Sequence, residues 1–171
     1  MEAVAKVFQP TMTHDQLVQR AGSWLRNQQR CCLVVAEPAG QDLEEQPDAI
    51  GWRLRGAGSI VVECKTAISD FHGDRQKFFR RHPLLGMGRE RYFMTEPGLL
   101  DEGLRNNRLF LDGWGLLECR KRTVEIVMPA IPFDHAASAY AEQRLMIALI
   151  RRREGIMPGA QVFAEPLGDE S

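Results

Sequence analysis

The chain has 171 residues, of which 44% are hydrophobic and 26% are charged, the balance of an ordinary globular protein. This length suits one domain, and we expect a core of normal size without disulfides or a structural metal. The formal net charge of -1 excludes a protein that binds nucleic acid through an overall basic surface. Any DNA-facing surface therefore has to come from local clusters of Lys and Arg.

The sequence gives no sign of export or of a membrane span. Residues 1–10 lack a basic start followed by a long apolar stretch, and no apolar run approaches the ~18–20 residues that cross a bilayer. We therefore expect a soluble, cytoplasmic protein without a membrane partner. The cysteines have no close C-x-x-C spacing and are expected to be small core residues. They are Cys31, Cys32, Cys64 and Cys119.

In chain order, the pattern predicts a flexible N-terminal arm over residues 1–12, a single domain over 13–154 and a flexible C-terminal tail over 155–171. Thr13 and Gln16 supply both halves of a T-x-x-Q capping box. Apolar residues follow at helical spacing, so the domain is predicted to open with a helix at about 13–30.

The remaining predicted elements alternate between strands and helices. Short apolar runs predict strands over 31–36, 48–54, 59–65, 91–95, 114–119 and 123–128. The Gly-containing loop between the second and third strands favours a hairpin. Helical character is predicted over 70–81, 97–105 and 134–154.

The last of these helices is predicted to be capped by Asp134. Its predicted buried stripe comprises Ala136, Ala139, Tyr140, Leu145, Met146 and Leu149. The order of helix, three strands, helix, strands and helix predicts an α/β fold, a mixed central β-sheet flanked by helices.

Two charged residues end the predicted third strand. Glu63 and Lys65 lie on one face of it, because side chains alternate along a strand. A carboxylate and an ammonium are costly to bury without a purpose. The hairpin brings Asp48 beside Glu63, and these two carboxylates with the Cys64 backbone carbonyl make an oxygen site that suits Mg²⁺. Lys65 would orient a metal-activated water and stabilise the developing negative charge.

Asp48, followed fifteen residues later by Glu63-x-Lys65, resembles the PD-(D/E)xK nuclease signature. The stretch Ser69-Asp70-Phe71-x-x-Asp74-Arg75, followed by Lys77, is similar to small phage and prophage nuclease-like proteins and to MmcB-type DNA-repair proteins. The phrases P-D-A-I-G-W-R, V-V-E-C-K, G-M-G-x-x-R-Y and G-W-G-L-L look closest to the phage and prophage group.

The resemblance covers roughly residues 30–120. It implies a restriction-endonuclease-like core and divalent-metal hydrolysis of DNA phosphodiester bonds, with Mg²⁺ or Mn²⁺ as cofactor. Asp48, Glu63 and Lys65 would be the catalytic residues, in phage or prophage DNA processing or in DNA repair. The alternative is a catalytically inactive DNA- or protein-binding module on the same fold. A homodimer or a partner protein is also expected for so small a domain.

Many relatives carry a metal-binding Glu on the first helix, where this chain offers only His14, Asp15 and glutamines. Glu37 is a candidate replacement, although a solvated loop acid explains it equally well. Some relatives also carry a Gln and a Tyr four residues apart after the lysine. Gln76 matches that Gln, but Arg80 occupies the position of the Tyr.

Asp70 and Asp74 are further candidates for residues supporting the site. Helix capping is an alternative role for Asp70, and a salt bridge with Lys77 or Arg75 is an alternative for Asp74. The basic residues in this region are candidates for binding DNA phosphates, with a solvated helix face as the other interpretation. They are Arg75, Lys77, Arg80 and Arg81.

Overall fold

The computed structural model describes residues 8–38, 45–54, 58–133 and 135–154, with the backbone alone for 135–138 and 152–154. Six strands form one sheet whose spatial order follows the chain. They are β1 (Leu33–Ala36), β2 (Ala49–Trp52), β3 (Ser59–Cys64), β4 (Glu90–Thr95), β5 (Gly115–Cys119) and β6 (Val124–Met128). β1, β2 and β3 are antiparallel, β3, β4 and β5 are parallel, and β6 returns antiparallel to β5. The predicted α/β class with a mixed sheet is confirmed.

Helices pack on this sheet: α1 (His14–Asn27), α2 (Ile68–Asp74), α3 (Phe78–Arg81), α4 (Glu102–Arg105) and α5 (His135–Glu154). The capping box of α1 is present as predicted, because the Thr13 hydroxyl accepts from the N–H of Gln16 and the Gln16 side chain accepts from the N–H of Thr13. A 3₁₀ turn over Pro83–Leu85 leads into β4.

The single helix predicted over 70–81 is wrong, because the chain leaves helical geometry at 75–77 and forms α2 and α3 instead. Gly73 weakens the end of α2, and Lys77 is extended, with φ -63° and ψ 142°. The helix predicted over 97–105 shrinks to α4, whose Asp101 cap accepts from the N–H of Leu104.

β3 is buried along its whole length and separates two apolar cores. One face carries Ile60, Val62 and Cys64, which pack with the buried side of α1. The other face carries Val61, which packs with Phe71 of α2 and with the buried part of α5. The predicted alternation along this strand is therefore confirmed, and its second face leads directly to Glu63.

Burial differs from the prediction at Cys32 and along α5. Cys32 is exposed because it precedes the edge strand β1, whereas Cys31, Cys64 and Cys119 are buried. On α5, Leu145 is buried as predicted, but Ala139 and Tyr140 are exposed. The helix contacts the sheet through the turn that carries Glu142 and Leu145, so Tyr140 points away from it.

The end of the predicted arm is held in place. The N–H groups of Thr11 and Met12 donate to the Glu96 carboxylate, at 2.7 and 3.0 Å. The rest of the arm, the tail after residue 154, the hairpin loop 55–57 and the predicted Asp134 cap lie outside the described residues. Within the described part of the chain, no helix has the length and apolar content needed to span a bilayer.

Candidate active site

The hairpin of β2 and β3 brings Asp48 and Glu63 together as predicted. Ala49 pairs with Val62, so Asp48 and Glu63 occupy the next opposed positions of this antiparallel pair. Asp48 Oδ2 accepts from the N–H of Cys64 at 2.7 Å and lies 3.3 Å from His14 Nε2. Neither contact involves Oδ1, and the Asp48 side chain remains 20% exposed.

Glu63 is the buried member of this pair. Its Oε2 lies 3.3 Å from Lys65 Nζ and 3.6 Å from Lys77 Nζ, whereas its Oε1 is buried and has no hydrogen-bond partner in the described part of the chain. Burial raises the pKa of Glu63, and the charge of Asp48 raises it further against the opposing effect of Lys65 and Lys77. The ionised form of Glu63 would therefore be stabilised by additional positive charge at Oε1.

Asp74, at the end of α2, organises the cations of the site. Its Oδ1 accepts from Lys65 Nζ at 3.1 Å and lies 2.9 Å from Lys77 Nζ, and its Oδ2 accepts from Arg80 Nε. Burial opposes ionisation, but Arg80 and Lys65 hold the pKa of Asp74 down at about 2. Asp74 is thus a carboxylate whose oxygens are both engaged, which suits it to hold lysines rather than a metal ion.

Asp70 and Gln76 lie away from this cluster. The Asp70 carboxylate accepts from the N–H groups of Thr66 and Ala67, at 3.2 and 2.9 Å. This is the capping role that the sequence left open. Gln76 accepts instead from Arg81 Nη2 at 2.9 Å, in an exposed pair. Neither residue is brought to Glu63 or Lys65.

The predicted DNA-binding residues divide between surface and interior. The prediction that Arg80 lies on a DNA-binding surface is wrong. Its side chain is 5% exposed, and its guanidinium lies 3.4 Å from the centre of the Trp114 ring. Both of its Nη atoms are buried and find no hydrogen-bond partner among the residues that the structure describes. Arg81 is exposed, and the side chains of Arg75 and Lys77 are about half-buried, at 39% and 41% exposure. The pairing of Arg80 with an aromatic residue 34 positions later has no local sequence signal.

His14 and Asp15, which the first helix offers where many relatives carry a Glu, lie close to Glu37, the candidate replacement. His14, Asp15 and Glu37 each offer a ligand atom, and these atoms lie within 4.8 Å of one another. All three side chains are exposed. Because His14 also contacts Asp48, the group adjoins the candidate active site.

Glu45 is a buried acid that the sequence analysis missed. Its Oε2 accepts from the N–H of Met87, and its Oε1 is buried with no hydrogen-bond partner within the described ranges. Burial raises the pKa of Glu45 to about 7, although Met87 and Arg91 oppose the shift. Its position in a polar loop, next to other acids, gave no signal that it would be enclosed.

Comparison with known proteins found a solved structure with a similar fold, but no protein of known function. No family model matches the chain, and no curated protein matches it. A solved structure of a protein of unknown function from Silicibacter pomeroyi is similar, with a TM-score of 0.56 and 20% sequence identity. The match covers 91% of this chain and 100% of that one. At this identity the likeness concerns the fold alone.

Proposed function

We propose that the chain is a divalent-metal-dependent DNA nuclease that hydrolyses phosphodiester bonds in phage or prophage DNA processing or in DNA repair. The observation that supports the proposal is Glu63 Oε1, a buried carboxylate oxygen with no hydrogen-bond partner among the described residues, on a residue opposed to Asp48. The order of one helix, three antiparallel strands, a helix and a parallel strand agrees with a restriction-endonuclease-like core.

The donor set fits a hard cation such as Mg²⁺ or Mn²⁺. Glu63 Oε1, Asp48 Oδ1 and the Cys64 carbonyl are oxygens, which these ions prefer, and waters would complete the coordination. Charge from the ion would offset the burial that disfavours an ionised Glu63. His14 and Glu37 are further donors beside Asp48.

The side chains around the ion would have different roles. When bound, the ion supplies a Lewis acid that activates water and stabilises charge on a phosphoryl oxygen. Lys65 is held by Glu63 and Asp74, so its ammonium is fixed where it would orient the attacking water and oppose developing negative charge. Asp74 would position Lys65 and would not contact the metal ion or the substrate.

One observation favours a second candidate, a binding module without catalysis. The three carboxylates Asp48, Glu63 and Asp74 are matched by three cations, Lys65, Lys77 and Arg80. A cluster that is neutral without an ion attracts a divalent cation less strongly than two unpaired carboxylates would. The two candidates differ in whether Asp48 controls metal binding and cleavage.

The test is Mn²⁺ calorimetry beside cleavage of linear, circular, single-stranded and branched DNA. Asp48→Asn should lose metal binding and cleavage while its side-chain carbonyl still accepts from the N–H of Cys64. Lys65→Ala should keep or strengthen metal binding, because a nearby positive charge is gone. Its cleavage rate should nevertheless fall by about 10²-fold, the scale for one well-placed electrostatic group.

Glu37→Gln tells the two carboxylate groups apart, since it removes one exposed carboxylate from the group at the start of α1 and leaves Asp48 and Glu63 intact. If Glu37→Gln abolishes Mn²⁺ binding and Asp48→Asn does not, the ion belongs to that group and the assignment of Asp48 is wrong. Wild-type cleavage by Lys65→Ala would leave the binding module as the better account.

A further inference from the structure

Two lysines contact the same two carboxylate oxygens, one with a buried side chain and one with a partly exposed side chain. Lys65 Nζ lies 3.1 Å from Asp74 Oδ1 and 3.3 Å from Glu63 Oε2. Lys77 Nζ lies 2.9 and 3.6 Å from those same atoms. The Lys65 side chain is 7% exposed and the Lys77 side chain 41% exposed. Lys65 therefore reaches the centre from the interior and Lys77 from the solvent.

The hydrogen-bond donors of the two ammonium groups are used differently. Each ammonium has three N–H donors. Lys65 gives two of them to Glu63 and Asp74, and its Nζ is covered by the ring of Phe93 at 5.9 Å. Among the described residues, Lys77 Nζ is within hydrogen-bond distance of Asp74 alone, since 3.6 Å to Glu63 is too long for a good bond. With its side chain 41% exposed, Lys77 keeps donors that are not committed to the cluster.

We propose that Lys77 contacts a phosphate of bound DNA at this centre and is a second catalytic lysine beside Lys65. The inference rests on the proposed nuclease function and names the group that meets the substrate. Lys77 is the last of the three residues between α2 and α3, and its Nζ lies 2.9 Å from Asp74 Oδ1 and 3.6 Å from Glu63 Oε2. The same Nζ lies over the ring of Phe79, 5.7 Å from the ring centre.

The charge of Lys77 persists despite its partial burial. Burial alone would lower the pKa of Lys77, but the charge of Glu63 and the hydrogen bond to Asp74 raise it above its ordinary value. A phosphate oxygen would meet an ammonium that lies 2.9 Å from Asp74 Oδ1. The proposal requires no movement of Lys65.

The test compares Lys77→Ala and Lys77→Arg with Lys121→Ala, an exposed lysine on the turn between β5 and β6. At saturating DNA, kcat of Lys77→Ala should fall by about 10²-fold, and Lys77→Arg should recover part of the loss. Lys121→Ala should cleave like wild type. Lys77→Gln removes the charge but keeps most of the side chain, and it replaces Lys77→Ala if that variant is unfolded.

A second measurement does not depend on cleavage. The wild-type protein is acetylated with and without a DNA duplex in Ca²⁺, and each lysine is followed by mass spectrometry. DNA should slow acetylation of Lys77 several-fold and leave Lys121 unchanged. The salt slope of DNA binding should also fall by about 1 in Lys77→Ala, as expected for one lost phosphate contact.

The outcomes separate this inference from the nuclease proposal. If wild type cleaves DNA and Lys77→Ala keeps its kcat, the catalytic role of Lys77 is overturned, even where KM rises. If wild type cleaves none of the DNA substrates, the nuclease proposal fails, and protection from acetylation alone decides the phosphate contact. Acetylation of Lys77 at the same rate with and without DNA would overturn that contact in either case.

Discussion

At the scale of single residues, the site depends on one carboxylate that contacts three cationic side chains. Asp74 is 2% exposed and contacts Lys65, Lys77 and Arg80. Removing one partner of a buried ion cluster is far costlier than replacing the whole cluster, because the remaining charges stay buried without compensation. Asp74 is therefore expected to matter for folding as well as for the position of Lys65.

Asp74→Ala should lower the free energy of unfolding by about 3–5 kcal/mol, the range for breaking a buried ion pair. Urea unfolding at pH 7 measures this loss. Asp70→Ala is the matched control on the same helix, because it removes an exposed capping carboxylate and should cost only about 1 kcal/mol. Equal losses in the two variants would mean that solvent reaches the cluster and screens its charges.

At the scale of secondary structure, the sequence predicted elements well wherever hydrophobic periodicity and capping agree. α1 and the strands on either side of the hairpin followed from apolar spacing and from the Thr13 box. The break between α2 and α3 did not, because it depends on contacts with residues distant in the chain. Arg75, for example, donates to the carbonyl of Phe110, and Arg80 lies against Trp114.

The same division holds for the candidate site. The placement of Asp48 opposite Glu63 and of Lys65 beside Glu63 could be predicted, since strand alternation and hairpin register are local properties. The burial of Arg80 and Glu45 could not be predicted, because it depends on which surface of the sheet a later segment of the chain covers. The sequence marks the charged groups, and tertiary packing decides which of them solvent reaches.

α5 is attached to the sheet by a buried carboxylate. Glu142 accepts from Trp52 Nε1 at 2.8 Å, from the N–H of Gly88 at 3.0 Å and from the hydroxyl of Ser59. These donors come from β2, from β3 and from the loop before β4. Glu142 therefore joins α5 to the strands that carry the candidate active site.

Glu142→Ala should lower the free energy of unfolding by about 2–4 kcal/mol, because buried donors lose their acceptor. Gln143→Ala, an exposed neighbour on α5, should change it by less than about 0.5 kcal/mol. Denaturant unfolding gives both values, and amide exchange should show faster opening of α5 in Glu142→Ala alone. Unchanged exchange in α5 would show that the apolar contacts of Leu145 hold the helix without Glu142.

At the scale of the whole molecule, stability is expected to depend on pH through an acid that folding encloses. Glu45 has a pKa of about 7 in the folded protein against an ordinary value of 4.5. The folded state thus binds this proton more tightly than the unfolded chain does between these two values. Its contribution to stability is complete below pH 4.5 and is lost as the pH rises through 7.

Glu45→Gln tests this dependence because glutamine stays neutral and still accepts from the N–H of Met87. Between pH 4.5 and 7.5 the wild-type free energy of unfolding should fall by about 1–3 kcal/mol from this residue. Glu45→Gln should flatten that slope and exceed wild type in stability at the upper end. Glu37→Gln, an exposed glutamate, controls for the loss of one negative charge and should keep the wild-type slope. Chemical unfolding across this pH range measures all three proteins, and a wild-type slope in Glu45→Gln would mean that Glu45 is ionised and solvated in the folded state.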